Sequence, residues 1–360
     1  MAIYFPDSYR RELRKAWSER RLVPYLGAGV SAPYGLPQWT DLVMRILIDE
    51  SWETFGEFWK NYQTPLAVWM TENFDFGLES LSRFAKSKFV VNTGKRQRRH
   101  FNDYVDEQLY KKMPATLPAG PTTLTAVADL IAASEGAPGG RAIPAVVSLN
   151  FDDLLETELK ARHIACEPVF GKRRRHASRL GIIHAHGYLP RGARAPASDL
   201  IFTEDDYHRF ALQSIHWAQV ELLSLLRNGT GLFIGLSMSD ANLRRLLDAT
   251  ADGRKSRHFV IRKRFSLNYQ QQQEAARRIH ERAMTGLQPD ERNRMMNDAP
   301  QLEFAIDRML KAATEIDTTL LEEMGVATIW VDEYDEIPKV LQQIPSTGKA
   351  AGPRAQRGKP

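Results

Sequence analysis

Four short clusters in this 360-residue chain hold residue types that can do chemistry together. Gly27-Ala28-Gly29, with Ser31 close behind, follows the apolar run Leu22 to Leu26. A glycine loop between a strand and a helix lets backbone N–H groups approach a phosphate, with the positive end of the helix behind them. Asn150 and Asp152 follow the run Ile143 to Leu149. A carboxamide both donates to and accepts from water or a hydroxyl. His184 and His186 end the run Gly181 to His186, just before Gly187. A histidine of ordinary pKa, about 6.5, takes a proton from water or a hydroxyl at neutral pH. Gly235, Ser237 and Asp240 follow Thr230 to Leu236.

Each cluster alone has a plainer reading. Gly27-x-Gly29-x-x-Ala32 fits only the loose form of the dinucleotide fingerprint, with alanine at its third small position. The acidic residue expected near the end of a second strand is missing, because Asp49 and Glu50 end a helical pattern. The loop therefore does not hold a nucleotide in the dehydrogenase manner. Asn150-Phe151-Asp152 also reads as turn and cap chemistry, and Ser237-x-Ser239-Asp240 as an N-cap box. His184 and His186, two apart on a strand, face the same way and have the spacing of two metal ligands, with Asp152 or Asp240 as a third. A hydrogen bond at the strand end is the plainer role for His184. Ser31 lacks the G-x-S-x-G elbow of a hydrolase nucleophile.

The elements that must position these residues follow from the hydrophobic pattern. Residues 7–20 read as an amphipathic lead-in helix, and helices are expected over 39–50, from Asp153 as cap, over 207–226, 242–250 and 336–344. Besides the four runs above, short strands are expected at Leu200 to Phe202, His258 to Ile261 and Gly325 to Val331. Strands alternating with helices predict an α/β fold, a doubly wound, Rossmann-like parallel sheet whose ligands lie beyond the carboxyl ends of the strands. All four clusters sit at such ends, so they can converge on one crevice. Residues 51–134 break the alternation and read as a helical insertion. Its aromatic residues (Trp52, Phe55, Phe58, Trp59, Tyr62, Trp69, Phe74, Phe76 and Phe84) are assigned to packing between helices. The expected organisation is an N-terminal helix over 1–20, a core over 21–345 carrying that insertion, and a disordered basic tail over 346–360.

Composition narrows the partners. A single cysteine, Cys166, excludes a disulfide framework and any multi-cysteine zinc site. The apolar fraction of 43% is ordinary for a soluble protein, no apolar run reaches the length of a membrane span, and the N-terminus has no signal-peptide core, since charges begin at Asp7. The expectation is a cytoplasmic protein without a membrane contact. Four of the five net positive charges are matched by Lys349, Arg354, Arg357 and Lys359 of the tail. The runs Lys95 to Arg99 and Lys172 to Arg175 lack interleaved aromatics and read as solvated loops, so nucleic-acid contact is not supported.

The segments GAGVSAPYGLP, SLNFDDLLE, IIHAHG and LFIGLSMSD, in this order and spacing, resemble the sirtuin-like NAD-consuming domain. They are most similar to its bacterial antiphage-defence branch, in which NAD is hydrolysed and depleted. The resemblance spans about residues 20–250, and more weakly 320–345. It implies that Gly27, Ala28, Gly29 and Ser31 line the pyrophosphate loop, and that Asn150 and Asp152 lie beside the nicotinamide ribose. It further implies that His186 is the catalytic histidine and that Gly235, Ser237 and Asp240 form the adenosine-side loop, with Asn150 sharing the catalysis. Two features depart from the sirtuin deacylases. One cysteine cannot build their four-cysteine zinc module, and Gln38-Trp39-Thr40 stands where they carry Asp-Phe-Arg.

The reading is therefore an NAD+ glycohydrolase that takes NAD as substrate without a metal. It releases nicotinamide and ADP-ribose, as an antiphage effector. The resemblance also implies a homo-oligomer and a regulatory partner such as a HerA-like ATPase. The short stretch after the core favours a separate partner over a built-in sensor domain. The alternatives are a protein ADP-ribosyltransferase or deacylase, and a non-catalytic sensor of NAD or ADP-ribose.

Overall fold

Strands form where short apolar runs leave no polar face. Every residue of β1, β2, β4, β5 and β7 is buried, the mark of a parallel sheet covered on both sides. The computed structural model describes residues 3–51, 77–93, 100–114, 118, 120–172, 176, 178–192, 200–212, 216–251, 258–285 and 299–345. In chain order these form α1 (Asp7–Ser18), β1 (Leu22–Leu26), α2 (Ala28–Ser31), α3 (Trp39–Ser51), α4 (Leu78–Thr93), α5 (Phe101–Tyr110), α6 (Thr123–Glu135) and β2 (Ala145–Ser148). Then follow α7 (Leu154–Ala161), β3 (Cys166–Val169), β4 (Leu180–His184), α8 (Glu204–Leu212), α9 (Trp217–Asn228), β5 (Thr230–Ile234) and α10 (Ala241–Thr250). The rest are β6 (His258–Lys263), α11 (Tyr269–Met284), α12 (Ala299–Glu323), β7 (Val326–Val331) and α13 (Ile337–Leu341).

The seven strands lie in the order β3-β4-β2-β1-β5-β6-β7, and every pairing is parallel. This is the α/β, Rossmann-like doubly wound sheet that the alternation predicts. The chain builds outward from β1 on one side through β2 and β4, then returns to the other side of β1 with β5. The winding therefore reverses at β1, and the crevice belongs at the carboxyl ends of β2, β1 and β5. One apolar cluster fills the face that takes Leu22 and Leu26; a second fills the face that takes Val23 and Tyr25. At the β7 edge, Tyr4 exchanges backbone hydrogen bonds with Trp330, at 2.8 and 3.2 Å, which covers part of an otherwise open strand.

Several expectations are corrected. Leu200 to Phe202 is no sheet strand. It runs as extended chain over the end of β4, where the Ile201 N–H donates to the His186 carbonyl at 2.8 Å. The sheet has instead an edge strand at Cys166–Val169, which the sequence reading missed because Glu167 and Pro168 disguise it. A proline is tolerated at an edge. The expected single helix over 207–226 comprises two described helices, α8 and α9. The first helix after the glycine loop is the four-residue α2, continued by a 3-10 turn over Ala32–Tyr34, well before α3. The aromatics Trp52 to Phe76, the runs Lys95 to Arg99 and Arg173 to Arg175, and the tail over 346–360 lie outside the described residues. Phe84 is 47% exposed, so only part of its surface is packed. Among the described residues, no helix is long and apolar enough to cross a membrane.

Candidate functional site

The glycine loop is locked against the end of β5. The Gly27 N–H donates to the Ile234 carbonyl and the Gly29 N–H to the Gly235 carbonyl, both at 3.0 Å. A Cβ on Gly29 would stand 2.9 Å from Gly235 Cα, and one on Gly235 would stand 2.7 Å from the Val30 nitrogen. Gly235 also has φ +66°, where other residues are strained. These glycines are therefore needed for backbone-on-backbone approach. The Gly27 and Gly29 N–H groups are both bonded to β5 and its following residue, so these two residues shape the loop through their packing.

Asn150 is fixed by the same loop. Its Nδ2 donates to the Gly27 carbonyl at 3.0 Å and to Ser31 Oγ at 3.2 Å. Both amide hydrogens are thus spent within the protein, and what Asn150 can offer a substrate is its carbonyl oxygen. Ser31 Oγ in turn donates to Asp152 Oδ2 at 2.8 Å. The other oxygen of Asp152 accepts the Leu154 N–H at 3.1 Å, so Asp152 rather than the expected Asp153 bonds the first turn of α7. Burial pushes the Asp152 carboxyl up to about 6, against the opposing pull of the Ser31 and Leu154 bonds.

The two histidines part company at the end of β4. His184 is the last strand residue and is 1% exposed. Its Nδ1 faces the Asn150 backbone carbonyl at 3.1 Å and its Nε2 faces Glu156 Oε1 at 2.6 Å. Burial works against a charge here, but Glu156 and the Asn150 carbonyl outweigh it and the pKa is raised. Both ring nitrogens of His184 are thus engaged within the protein, so it is not set up as one of a pair of metal ligands.

His186 lies in the turn beyond the strand and is 7% exposed. It too meets one backbone carbonyl, that of Leu149, and one carboxylate. Its Nε2, however, lies 3.6 Å from Asp240 Oδ2. At that separation burial prevails over the Asp240 charge and the Leu149 bond, and the pKa is lowered. The same kinds of partner, at different distances, push the two imidazoles in opposite directions.

Asp240 joins this group from the far side of the crevice. Its Oδ1 accepts the Leu243 N–H at 2.7 Å and caps α10, as the N-cap reading expects, while Oδ2 faces His186. The sequence reading missed Tyr207 and Glu156. The Tyr207 hydroxyl hydrogen-bonds the Asp240 carboxylate. Its ring stands edge-on to His186, with centroids 5.8 Å apart, and to Trp39 at 6.1 Å. Glu156 was visible one helical turn after Asp152, but no pattern marked its histidine partner. Ser237 is not part of this group: it is exposed, with its hydroxyl 2.6 Å from Ser239 Oγ. The loop carrying it is anchored by Met238, buried at φ +60°. Ala28 is half-buried at the start of α2.

Residues 144–284 match the SIR2-like domain. This SIR2-like segment runs from β2 past β6 and holds Asn150, Asp152, Glu156, His184, His186, Tyr207 and Asp240. The glycine loop lies outside it and joins the site through the contacts above. The chain is 27% identical over 275 residues to the uncharacterized protein y4cA of Sinorhizobium fredii, an alignment covering 73% of this chain and 20% of that one. The chain thus spans about a fifth of the length of that relative. A solved structure described as "The Structural basis for Sirtuin Substrate affinity" is similar over 76% of this chain and 97% of its own, at 16% identity and a TM-score of 0.29. The fold assignment rests on the parallel sheet and not on that superposition. Among the described residues, no group of three or more His, Cys, Asp or Glu side chains is placed to hold a metal ion.

Proposed function

We propose that this protein is an NAD+ glycohydrolase acting at the crevice beside β2, β1 and β5. The observation that carries the reading is the contrast at the end of β4: His184 is closed on Glu156 at 2.6 Å, whereas His186 meets the Leu149 carbonyl but stands 3.6 Å from Asp240, and the two imidazoles are pushed in opposite directions. Titratable groups pushed apart by their surroundings mark acid and base assignments. The match of residues 144–284 to the SIR2-like domain supports NAD as the substrate. The residues present suit it. The carbonyl oxygen of Asn150 accepts from a water or a ribose hydroxyl, and the close-packed glycines leave no side chains where the loops meet.

In hydrolysis, water forms a bond to C1′ of the ribose while the bond to nicotinamide breaks. Nicotinamide, a cationic substituent in NAD+, departs neutral with the bonding electron pair. Asn150 orients the water and His186 takes its proton, which passes on to solvent. Such general-base help is worth roughly 10²–10⁴ in rate. Ser31 and Asp152 keep Asn150 in place. The role of antiphage effector in the cytoplasm, depleting NAD as an oligomer or with a HerA-like partner, draws on the four resembling motifs.

The test is release of nicotinamide and ADP-ribose from NAD+ by the purified full chain. His186→Ala should lower turnover by roughly 10²-fold or more. Asn150→Ala should lower it comparably, and a chelator should change nothing. Tight NAD+ binding without turnover, with and without candidate partner proteins, would replace this reading with a sensor.

A further inference from the structure

The sequence assigns Asp240 to holding the adenosine side of the substrate. The geometry points elsewhere: we propose that Asp240 is the positioning residue for His186, receiving the imidazolium that forms when His186 takes a proton, with Tyr207 holding the carboxylate for that task. The proposal rests on the glycohydrolase reading for its kinetic consequence, though not for the pairing itself.

Three observations carry it. Asp240 is bonded through one oxygen and faces His186 with the other. Oδ1 caps α10 through Leu243 at 2.7 Å, which fixes the carboxylate plane, and Oδ2 lies 3.6 Å from His186 Nε2. The distance is too long for a hydrogen bond to a neutral ring and short enough to become one with a small movement. Second, His186 sits between two acceptors, the Leu149 carbonyl and Asp240, so a neutral ring lacks one of the two N–H groups its surroundings would bind. Protonation supplies it. His184 shows the same arrangement already closed, at 2.6 Å from Glu156. Third, Tyr207 donates to Asp240 from α8, and burial with the nearby Asp240 carboxylate pushes its phenol well above the ordinary value. Tyr207 is thus a neutral donor at any working pH, and it keeps Asp240 aimed across the crevice.

The groups facing His186 are Asp240 from the start of α10, Tyr207 from α8, and the Leu149 carbonyl beyond β2. Asp206 and Glu79 act on Tyr207 from behind. Among these, Asp240 supplies the charge that His186 meets directly.

Asp240→Asn separates the roles, because asparagine caps a helix as well as aspartate does. The cap survives and the charge goes. On the full chain, kcat for nicotinamide release should fall by roughly 10- to 100-fold with KM changed less than about threefold, since the loss falls on the transition state. The acid limb of the pH–rate profile should move to lower pH, because the imidazolium has lost its partner. Tyr207→Phe should give a smaller loss in kcat, again with KM kept. A tenfold rise in KM with kcat unchanged would return Asp240 to substrate binding and overturn the proposal. An unmoved acid limb would overturn it as well. Should the wild-type protein release no nicotinamide, NMR titration of the His186 ring decides independently. Its pKa must fall in Asp240→Asn, and an unchanged value sinks the pairing whatever the reaction.

Discussion

At the scale of single residues, the site is a set of ionisable groups whose burial has been compensated unequally. Asp152 has a hydroxyl and a backbone N–H as hydrogen-bond donors, yet burial still moves its carboxyl from 3.8 to about 6. A carboxyl raised by folding holds the native chain most firmly below pH 3.8, where it is protonated in both states. That stability is lost as the pH climbs through 6. Asp152→Asn should therefore raise the melting temperature at pH 8, by the equivalent of roughly 2–3 kcal/mol at most, and the gain should vanish near pH 4. The same variant should lower NAD turnover by disturbing Ser31 and Asn150. A more stable chain with slower NAD turnover is the expected outcome of parallel melting and activity measurements. The types and positions of Asn150, Asp152, His186 and Asp240 were legible in the sequence, because each follows an apolar strand. Their partners were not. Nothing local ties Glu156 to His184 or Tyr207 to Asp240, since each pair is joined only by the folded sheet and its helices.

At the scale of elements, what matters is how loops and helices meet at the ends of the strands. The contact between the β1 loop and the β5 loop is made of backbone atoms, so it has no side chain to give way. Gly235→Ala would put a methyl group 2.7 Å from the Val30 nitrogen at φ +66°. Thermal unfolding should show a loss of about 1–3 kcal/mol from this change. NAD turnover should fall further than stability alone explains, because the β1 loop packed against Gly235 carries the Gly27 carbonyl that holds Asn150. Helix α8, which carries Tyr207, is braced from two directions. Asp206 accepts the Thr203 N–H at 3.0 Å in a cap at its start, and Lys86 of α4 reaches Asp206 at 3.3 Å. Part of the chain between β1 and β2 thus steadies the residue that aims Asp240. The strands were readable wherever the run was apolar throughout. Cys166–Val169 escaped because an edge strand buries one face poorly and can carry a glutamate and a proline. Leu200 to Phe202 misled because an apolar run crossing the end of a strand looks the same in sequence as a strand.

At the scale of the molecule, the order of the strands governs when a site can exist. β1 is central, yet its neighbours β2 and β5 come much later in the chain, and the contacts that define the crevice pair residues 27 with 150 and 29 with 235. In a denaturant titration, loss of NAD turnover should coincide with loss of the overall fold, without an early inactive state that keeps the sheet. An activity midpoint well below that of the circular dichroism signal would contradict this. Parallel pairings so distant in sequence also fold slowly. The consequence reaches back to the ribosome. A nascent chain has its glycine loop early, but the aspartate opposite His186 is made about 210 residues after Gly29. On the proposed glycohydrolase reading, a chain still being made has no site, and turnover begins only when β5 closes against β1.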